Sequence, residues 1–329
     1  MRLLSTKDFT FHVFPEDEVP TYAILSHTWD GDEVTLQDMQ QPNARRILQS
    51  SNPPTKSWMK FPQSSNPPSK SWKKIQDACL KASLKGFLYI WIDSCCIDKT
   101  NSAELQEAIN SMFRWYRNSA VCLALLSDVD ESDFKFDKEL QSHATLSSPL
   151  ELLAPDKLLF FDVYWKQLGS RSHWANQISK TTGIHAKFLL GTGLENWDLE
   201  AVLRDTSVAT KMSWAAGRQT TRVEDEAYCL LGLFDLHMPM LYGEGRKAFA
   251  RLQQEIMKST DDCTLLAWGY NEPLLGAPVS EIPFYCRCFR CGQHCRDNIA
   301  SPLIRAARFW PSIRLNALPL SSPSKLCLR

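Results

Sequence analysis

Residues able to do chemistry gather just past two apolar runs. Ser26, His27 and Trp29 lie at and just past the end of the run from Tyr22 to Leu25, and Asp93, Cys95, Cys96 and Asp98 follow the run from Phe87 to Ile92. If both runs are strands, these side chains stand at strand exits, where open α/β sheets hold their ligands. Serine and histidine there can bond a ribose or a phosphate, tryptophan can stack on a base, and the second group can face the same crevice. The plainer alternative is a turn with a packed tryptophan, and Asp93 capping a turn is the commoner role of aspartate after a strand. Cys96, His27 and Asp98 also spell a cysteine hydrolase set on paper. A nucleophilic thiolate needs a helix N-terminus or a nearby base to lower its pKa, and both cysteines sit in apolar context, which fits buried structural thiols better.

Two further patterns are weaker. Cys286, Cys288, Cys291 and Cys295, with His294 adjacent, supply enough ligands for zinc. Zinc sites usually use two separated pairs, so no metal is expected. Tyr242-Gly243-Glu244-Gly245 places two glycines before a helix, but the pattern of a phosphate loop is absent. A tight turn into the helix, with Glu244 near its start, is the expected role.

The elements that position these residues alternate. Tyr22–Ser26, Leu88–Ile92 and Val121–Leu126 read as buried strands. Between them, Ile75, Ala78, Cys79 and Ala82 recur at helical spacing up to Gly86, and Leu105, Ile109, Met112, Phe113 and Tyr116 do so after a start signal at Asn101 and Glu104. Strand, helix, strand, helix, strand implies parallel pairing with right-handed crossovers, an α/β fold. Leu158–Phe161 is a further strand-like run. Later segments turn helical: Thr221–Glu224 resembles a capping box before a helix through Leu231, and Ala248, Phe249, Leu252 and Ile256 mark another apolar face. The expected division is an α/β core at 1–165, a helical lobe at 166–270 packed against the sheet, and an irregular tail rich in cysteine and proline at 271–329. Within the core, SSNPPTKSWMK from Ser50 is nearly repeated as SSNPPSKSWKK from Ser64. Paired prolines forbid regular helix there, so the first copy reads as a surface loop insertion within 50–74.

Composition narrows the partners. Lys plus Arg equals Asp plus Glu at 37 each in 329 residues, so nothing in the overall charge steers the chain onto nucleic acid or an acidic membrane. Eleven cysteines, most within apolar runs, and a start (MRLLSTKDF) without an apolar segment point to reduced thiols and a cytoplasmic location. No apolar run reaches membrane-spanning length.

Longer strings carry a resemblance. YAILSHTW from Tyr22, YIWIDSCCIDK from Tyr89, AELQEAINSMFRWYR from Ala103 and MSWAAGRQTTRVEDEAYCLLGLFDLHMPMLYGEGRKAFARLQQEI from Met212 resemble, in order, the fungal HET (heterokaryon incompatibility) family. The resemblance runs from Arg2 to Trp268 and includes rare Trp and Cys placements. It implies a fold similar to Toll/interleukin-1 receptor (TIR) domains, a TIR-like parallel sheet flanked by helices with a helical C-terminal lobe. It also implies a role in non-self recognition and programmed cell death. Many TIR domains cleave NAD with one glutamate. The family's usual run, Arg-Gly-Trp-Thr-Leu-Gln-Glu-Leu followed by Ala-Pro, corresponds here to ATLSSPLELLAP from Ala144 to Pro155. Glu151 thus matches the catalytic carboxylate, while the Arg-Gly-Trp portion is absent and Pro149 has entered.

That chemistry is within reach of a single carboxylate. Nicotinamide leaves a cationic pyridinium as a neutral molecule, so no general acid is needed, and one carboxylate can hold ribose hydroxyls and stabilise the oxocarbenium-like transition state. The alternative for Glu151 is a first-turn helix residue favoured by the helix dipole. NAD would be a substrate, with no cofactor permanently bound, and Trp29 could stack on its nicotinamide. The competing reading is a non-enzymatic death-signalling module, or an inactive degenerate copy, working through protein partners by self-association or with an incompatibility receptor in trans. Deleting Ser50 to Gln63 should leave thermal unfolding essentially unchanged, because it removes one copy of a proline-rich surface loop. A large fall in melting temperature would show that this copy packs into the core.

Overall fold

The computed structural model describes residues 1–29, 31–49, 69–130, 148–190, 198–215 and 220–266. The near-repeat from Ser50, apart from its last residues, and the tail from 271 onward lie outside the described residues.

Seven strands form one sheet, in the order β2-β1-β4-β3-β5-β6-β7. They are β1 (Arg2–Ser5), β2 (Phe11–Val13), β3 (Ala23–His27), β4 (Tyr89–Trp91), β5 (Val121–Leu125), β6 (Leu158–Phe161) and β7 (Gln167–Ser170). The inner strands β4, β3, β5 and β6 run parallel. Ala23, Ile24 and Leu25 of β3 are fully buried, and all of β5 is buried, as expected for strands covered on both faces.

The expectation of a parallel sheet needs correcting at its edges. β1 pairs antiparallel with both β2 and β4, and β7 pairs antiparallel with β6. The connections explain it, since parallel strands need a crossover of a dozen or more residues. β1 turns directly into β2, with the Ser5 amide donating to the Thr10 carbonyl. Asp162 closes the turn after β6 by accepting from the amides of Tyr164 and Lys166.

The helices of the core are α1 (Leu36–Met39), α2 (Ala44–Gln49), α3 (Ser69–Leu84), α4 (Asp93–Cys96), α5 (Ser102–Asn118) and α6 (Pro149–Leu153). Asn101 starts α5 by accepting from the amides of Ala103 and Glu104. Glu104 does not reach back as a capping-box partner would. Its carboxylate binds the Arg2 guanidinium at 2.6 Å and the Asp98 amide at 2.7 Å. α5 is locked to the sheet by aromatic side chains: Tyr116 donates to the Leu25 carbonyl, Tyr22 donates to the Trp115 carbonyl, and both α5 rings lie edge-on to Trp91.

Beyond the sheet follow α7 (Ala175–Thr182), α8 (Ala186–Leu190), α9 (Leu199–Arg204), α10 (Val208–Ala215), α11 (Asp225–Tyr228) and α12 (Lys247–Ser259). α12 buries Ala248, Phe249, Leu252 and Ile256, the face expected of it. The 221–224 stretch differs from expectation. The Glu224 carboxylate accepts from the amides of Gly243 and Gly245, at 2.8 and 2.9 Å, instead of capping a helix. The helix expected through Leu231 breaks after Tyr228 and resumes as a 3-10 turn at Leu231–Leu233. Close approach is the reason. A Cβ on Gly232 would stand 2.2 Å from Cβ of Phe113 on α5, so this region packs on α5 through a glycine.

Arg171, directly after β7, holds α6 in place. It is buried and reaches five backbone carbonyls, those of Leu152, Leu153, Pro155, Asp156 and Leu189. A cation at a helix C-terminus is favoured by the dipole and satisfies orphan carbonyls. Burial pushes its pKa down to about 10, which still leaves it charged at neutral pH. Arg171→Met should strand these carbonyls and cost about 3 kcal/mol. The melting temperature should then fall by roughly 6–12 °C. An unchanged melting temperature would mean that water replaces the guanidinium.

Candidate functional site

The direction in which the chain leaves each strand creates the site. From β3 it crosses through α1, α2 and α3 to β4 on one side, and from β5 it crosses through α6 to β6 on the other. β3 and β5 are neighbours, so their C-terminal ends form a topological switch point, where open α/β sheets bind ligands. Ser26 and His27 end β3, and Glu151 lies on the crossover that leaves β5.

Successive residues of a strand face opposite sides of the sheet, and the site divides accordingly. On the side of α5 and α6, the Ser26 hydroxyl donates to Oε2 of Glu151. Ser26 is buried and Glu151 is partly exposed. α6 begins with Ser148 as its cap, accepting from the Glu151 amide, and Pro149 in the first turn, where its missing N–H costs nothing. The proline that departs from the family's run therefore starts the helix carrying Glu151. Tyr116 and Cys122 are buried beside it. Burial first, and then the Glu151 charge, hold their pKa values well above the ordinary range.

On the side of α3, His27 Nε2 lies 2.9 Å from Oδ1 of Asp93. The Trp29 indole N–H donates to the other Asp93 oxygen at 2.6 Å. Lys74 donates to His27 Nδ1 at 3.1 Å and to Glu33 at 2.5 Å. With Lys74 donating to Nδ1, Nε2 carries the proton given to Asp93. Burial works against charge on His27, but the Asp93 carboxylate, helped by Glu33 and opposed by Lys74, raises its pKa above the usual value. Burial likewise works against the Asp93 charge, and His27, Lys99 and Trp29 overcome it and lower that pKa. When His27 takes a second proton at Nδ1, the Thr28 carbonyl stands 3.2 Å away to accept it.

Of the residues singled out in the sequence, the fold brings Ser26 to Glu151, and His27 and Trp29 to Asp93. Cys96 and Asp98 are elsewhere engaged. The Cys96 thiol is buried against the Ile92 amide, and Asp98 accepts from Thr100 and Gln37. Neither is bonded to His27, so the cysteine hydrolase set is not assembled. Lys74, Glu33 and Lys99 were not singled out. Lys74 carried a signal, since it falls between Ser71 and Ala78 on the core-facing stripe of α3, where a lysine needs a buried partner. The clustered cysteines from Cys286 lie outside the described residues, and among the described residues no group of His, Cys, Asp and Glu is arranged to hold a metal. No helix among them is long and apolar enough to cross a membrane.

Chemically, Glu151 is a partly exposed carboxylate that receives a fixed hydroxyl donor. A carboxylate so placed can stabilise a cationic transition state and bind sugar hydroxyls. The His27 pair makes a second, pH-dependent element. A histidine with a raised folded-state pKa contributes stability that is full below its unfolded pKa and lost as pH rises through the folded value. Asp93→Asn should therefore destabilise the protein by about 2 kcal/mol at pH 5.5. The difference from wild type should shrink as pH rises towards 9, and a gap independent of pH would exclude a charged His27.

Residues 22–182 match the family described as heterokaryon incompatibility protein (HET). The vegetative incompatibility protein HET-E-1 of Podospora anserina is 38% identical over 264 residues, covering 76% of this chain and 17% of that protein. The chain thus spans about a sixth of the length of the curated relative that it matches. No solved structure matches the chain.

Proposed function

The chain belongs to the HET family, and on that premise we propose that it is a heterokaryon (vegetative) incompatibility protein, an effector of programmed cell death after non-self recognition, acting by NAD hydrolysis. The proposed setting is the cytoplasm. The proposed partners are proteins, either further copies of the chain or an incompatibility receptor in trans. The sheet, with its helices on both faces and a carboxylate at the switch point, is read as TIR-like.

One observation supports the enzymatic reading above the others: the Ser26 hydroxyl donates to Glu151 at the junction of β3 and β5. It points the one carboxylate that the resemblance singles out toward the place where a ribose can enter. In the proposed reaction the nicotinamide–ribose bond breaks with its electron pair going to the pyridinium nitrogen. Neutral nicotinamide leaves, and the Glu151 charge stabilises the cationic sugar until water adds to it. The water's proton passes to solvent.

A specific observation favours the alternative, a signalling module or inactive copy. The Arg-Gly-Trp portion of the family's run is absent before Glu151. Incubation of the purified protein with NAD separates the two. The enzymatic reading expects release of free nicotinamide, and Glu151→Gln, which keeps the shape and removes the charge, should lower turnover by roughly two to three orders of magnitude with unchanged melting. Equal rates in wild type and variant would remove Glu151 from the mechanism. Absence of release by wild type would favour the signalling module.

A further inference from the structure

Most charges near the end of β3 have partners. Lys74 is paired with Glu33, Asp93 with His27, and Glu104 with Arg2, while Asp98 accepts from Thr100 and Gln37. Lys99 is different. Its Nζ rests 3.4 Å from the centroid of the Trp29 ring, and among the described residues no oxygen accepts a hydrogen bond from it. A ring quadrupole attracts a cation, but more weakly than an anion does. Burial lowers the Lys99 pKa, and the nearby carboxylates of Asp93 and Glu33 offset that only in part.

The ring beneath it is held in place. The Trp29 indole N–H donates to Asp93, whose other oxygen holds His27, and His27 is the neighbour of Ser26 on β3. A continuous set of contacts thus leads from Glu151 through Ser26, across the tip of β3, to His27, Asp93, Trp29 and Lys99. A ligand lying over that tip would present its sugar to Glu151 on one side and whatever follows the sugar to Lys99 on the other.

We infer that Lys99, supported on the Trp29 ring, is the subsite for the diphosphate of a nucleotide ligand that lies across the end of β3. A diphosphate supplies the directly bonded oxygen acceptor that Lys99 lacks among the described residues. The ammonium can leave the ring face for it without breaking any hydrogen bond in the described structure. Trp29 is 52% exposed, so the position is open to solvent. The inference rests on the NAD reading for the order of sugar and diphosphate, and adds the group that binds the phosphates.

ADP-ribose is the probe, because it contains ribose and diphosphate and cannot lose nicotinamide. Calorimetric titration should show binding to wild type and to Glu151→Gln. Lys99→Met should weaken it about ten- to hundredfold, the range of one charge-assisted hydrogen bond, and Lys99→Arg should restore most of it. Adenosine, which has no phosphate, should show no dependence on Lys99. Equal binding of ADP-ribose by wild type and Lys99→Met, with both variants melting as wild type, would overturn the inference, and so would failure of wild type to bind it. Binding that depends on Lys99 without release of nicotinamide from NAD would instead sink the hydrolase reading and leave the diphosphate subsite standing.

Discussion

β3 and β5 are parallel neighbours, yet the chain leaves their ends toward opposite edges of the sheet, and that divergence lets groups from distant segments meet at the sheet centre. Ser26 and Glu151 are 125 positions apart in the chain. Their contact exists because one ends β3 and the other sits on the crossover that departs from β5. Strand alternation then decides the rest. Ser26 faces the side of α5 and α6, His27 the side of α3, so the two residues assemble different neighbourhoods from adjacent positions. A ligand common to both must lie over the strand tip, where the two faces come together.

Burying charge in such a place demands partners, because an uncompensated ion inside a protein costs several kcal/mol. The α3 side meets that demand with a hydrogen-bonded chain in which two carboxylates flank two basic groups. Glu33 takes Lys74, Lys74 also donates to His27, and His27 donates to Asp93, which accepts Trp29 with its second oxygen. Removal of one member would expose its neighbour to the full cost of burial. The network is therefore a rigid support for Trp29, and the exposed indole at its end has one fixed edge. The α5 side uses fewer charges. There the Ser26 hydroxyl donates to Glu151, and Tyr116 and Cys122 are buried close enough to feel its charge.

The parallel centre of the fold was legible because fully buried strands spell continuous apolar runs, as Val121–Leu125 does, and because Asn101 marks the start of α5 with an ordinary cap. The antiparallel edges were not. β2 and β7 are three and four residues long and largely unburied, so neither has an apolar run or a strict alternation to announce it. Only the shortness of the turns before them decides their direction. Glu224 was misread for a related reason. A capping box is a local pattern, and the amides of Gly243 and Gly245 that claim its carboxylate are some twenty residues away. At the site, the strand exits bring Asp93 to His27, while the Cys96 thiol and Asp98 are bonded to other groups. Within the four-residue turn of α4 the chain rotates, so that Asp93 looks toward β3 while the Cys96 thiol turns inward. No reading of spacing resolves a rotation of that kind without the neighbours that select it.

The altered stretch before Glu151 bears on how that carboxylate is positioned. A helix of five residues such as α6 has no stability of its own, since helix nucleation alone is unfavourable and short helices in water are marginal. Its placement must come from its ends and its contacts. Ser148 and Pro149 start it, Arg171 takes the carbonyls of Leu152 and Leu153 at its finish, and Leu150, Leu152 and Leu153 are buried in the core. Ser26 then fixes the carboxylate itself. None of these groups belongs to the Arg-Gly-Trp portion that this sequence lacks. Loss of that portion therefore leaves the position of Glu151 supported from four separate directions. What it removes is an arginine and an aromatic ring from the segment leading into α6, groups suited to gripping a ligand. The physical consequence would fall on binding before it fell on the geometry of the carboxylate, and under the proposed reading it would leave more of the grip on an anionic ligand to Lys99, on the opposite side of the strand tip.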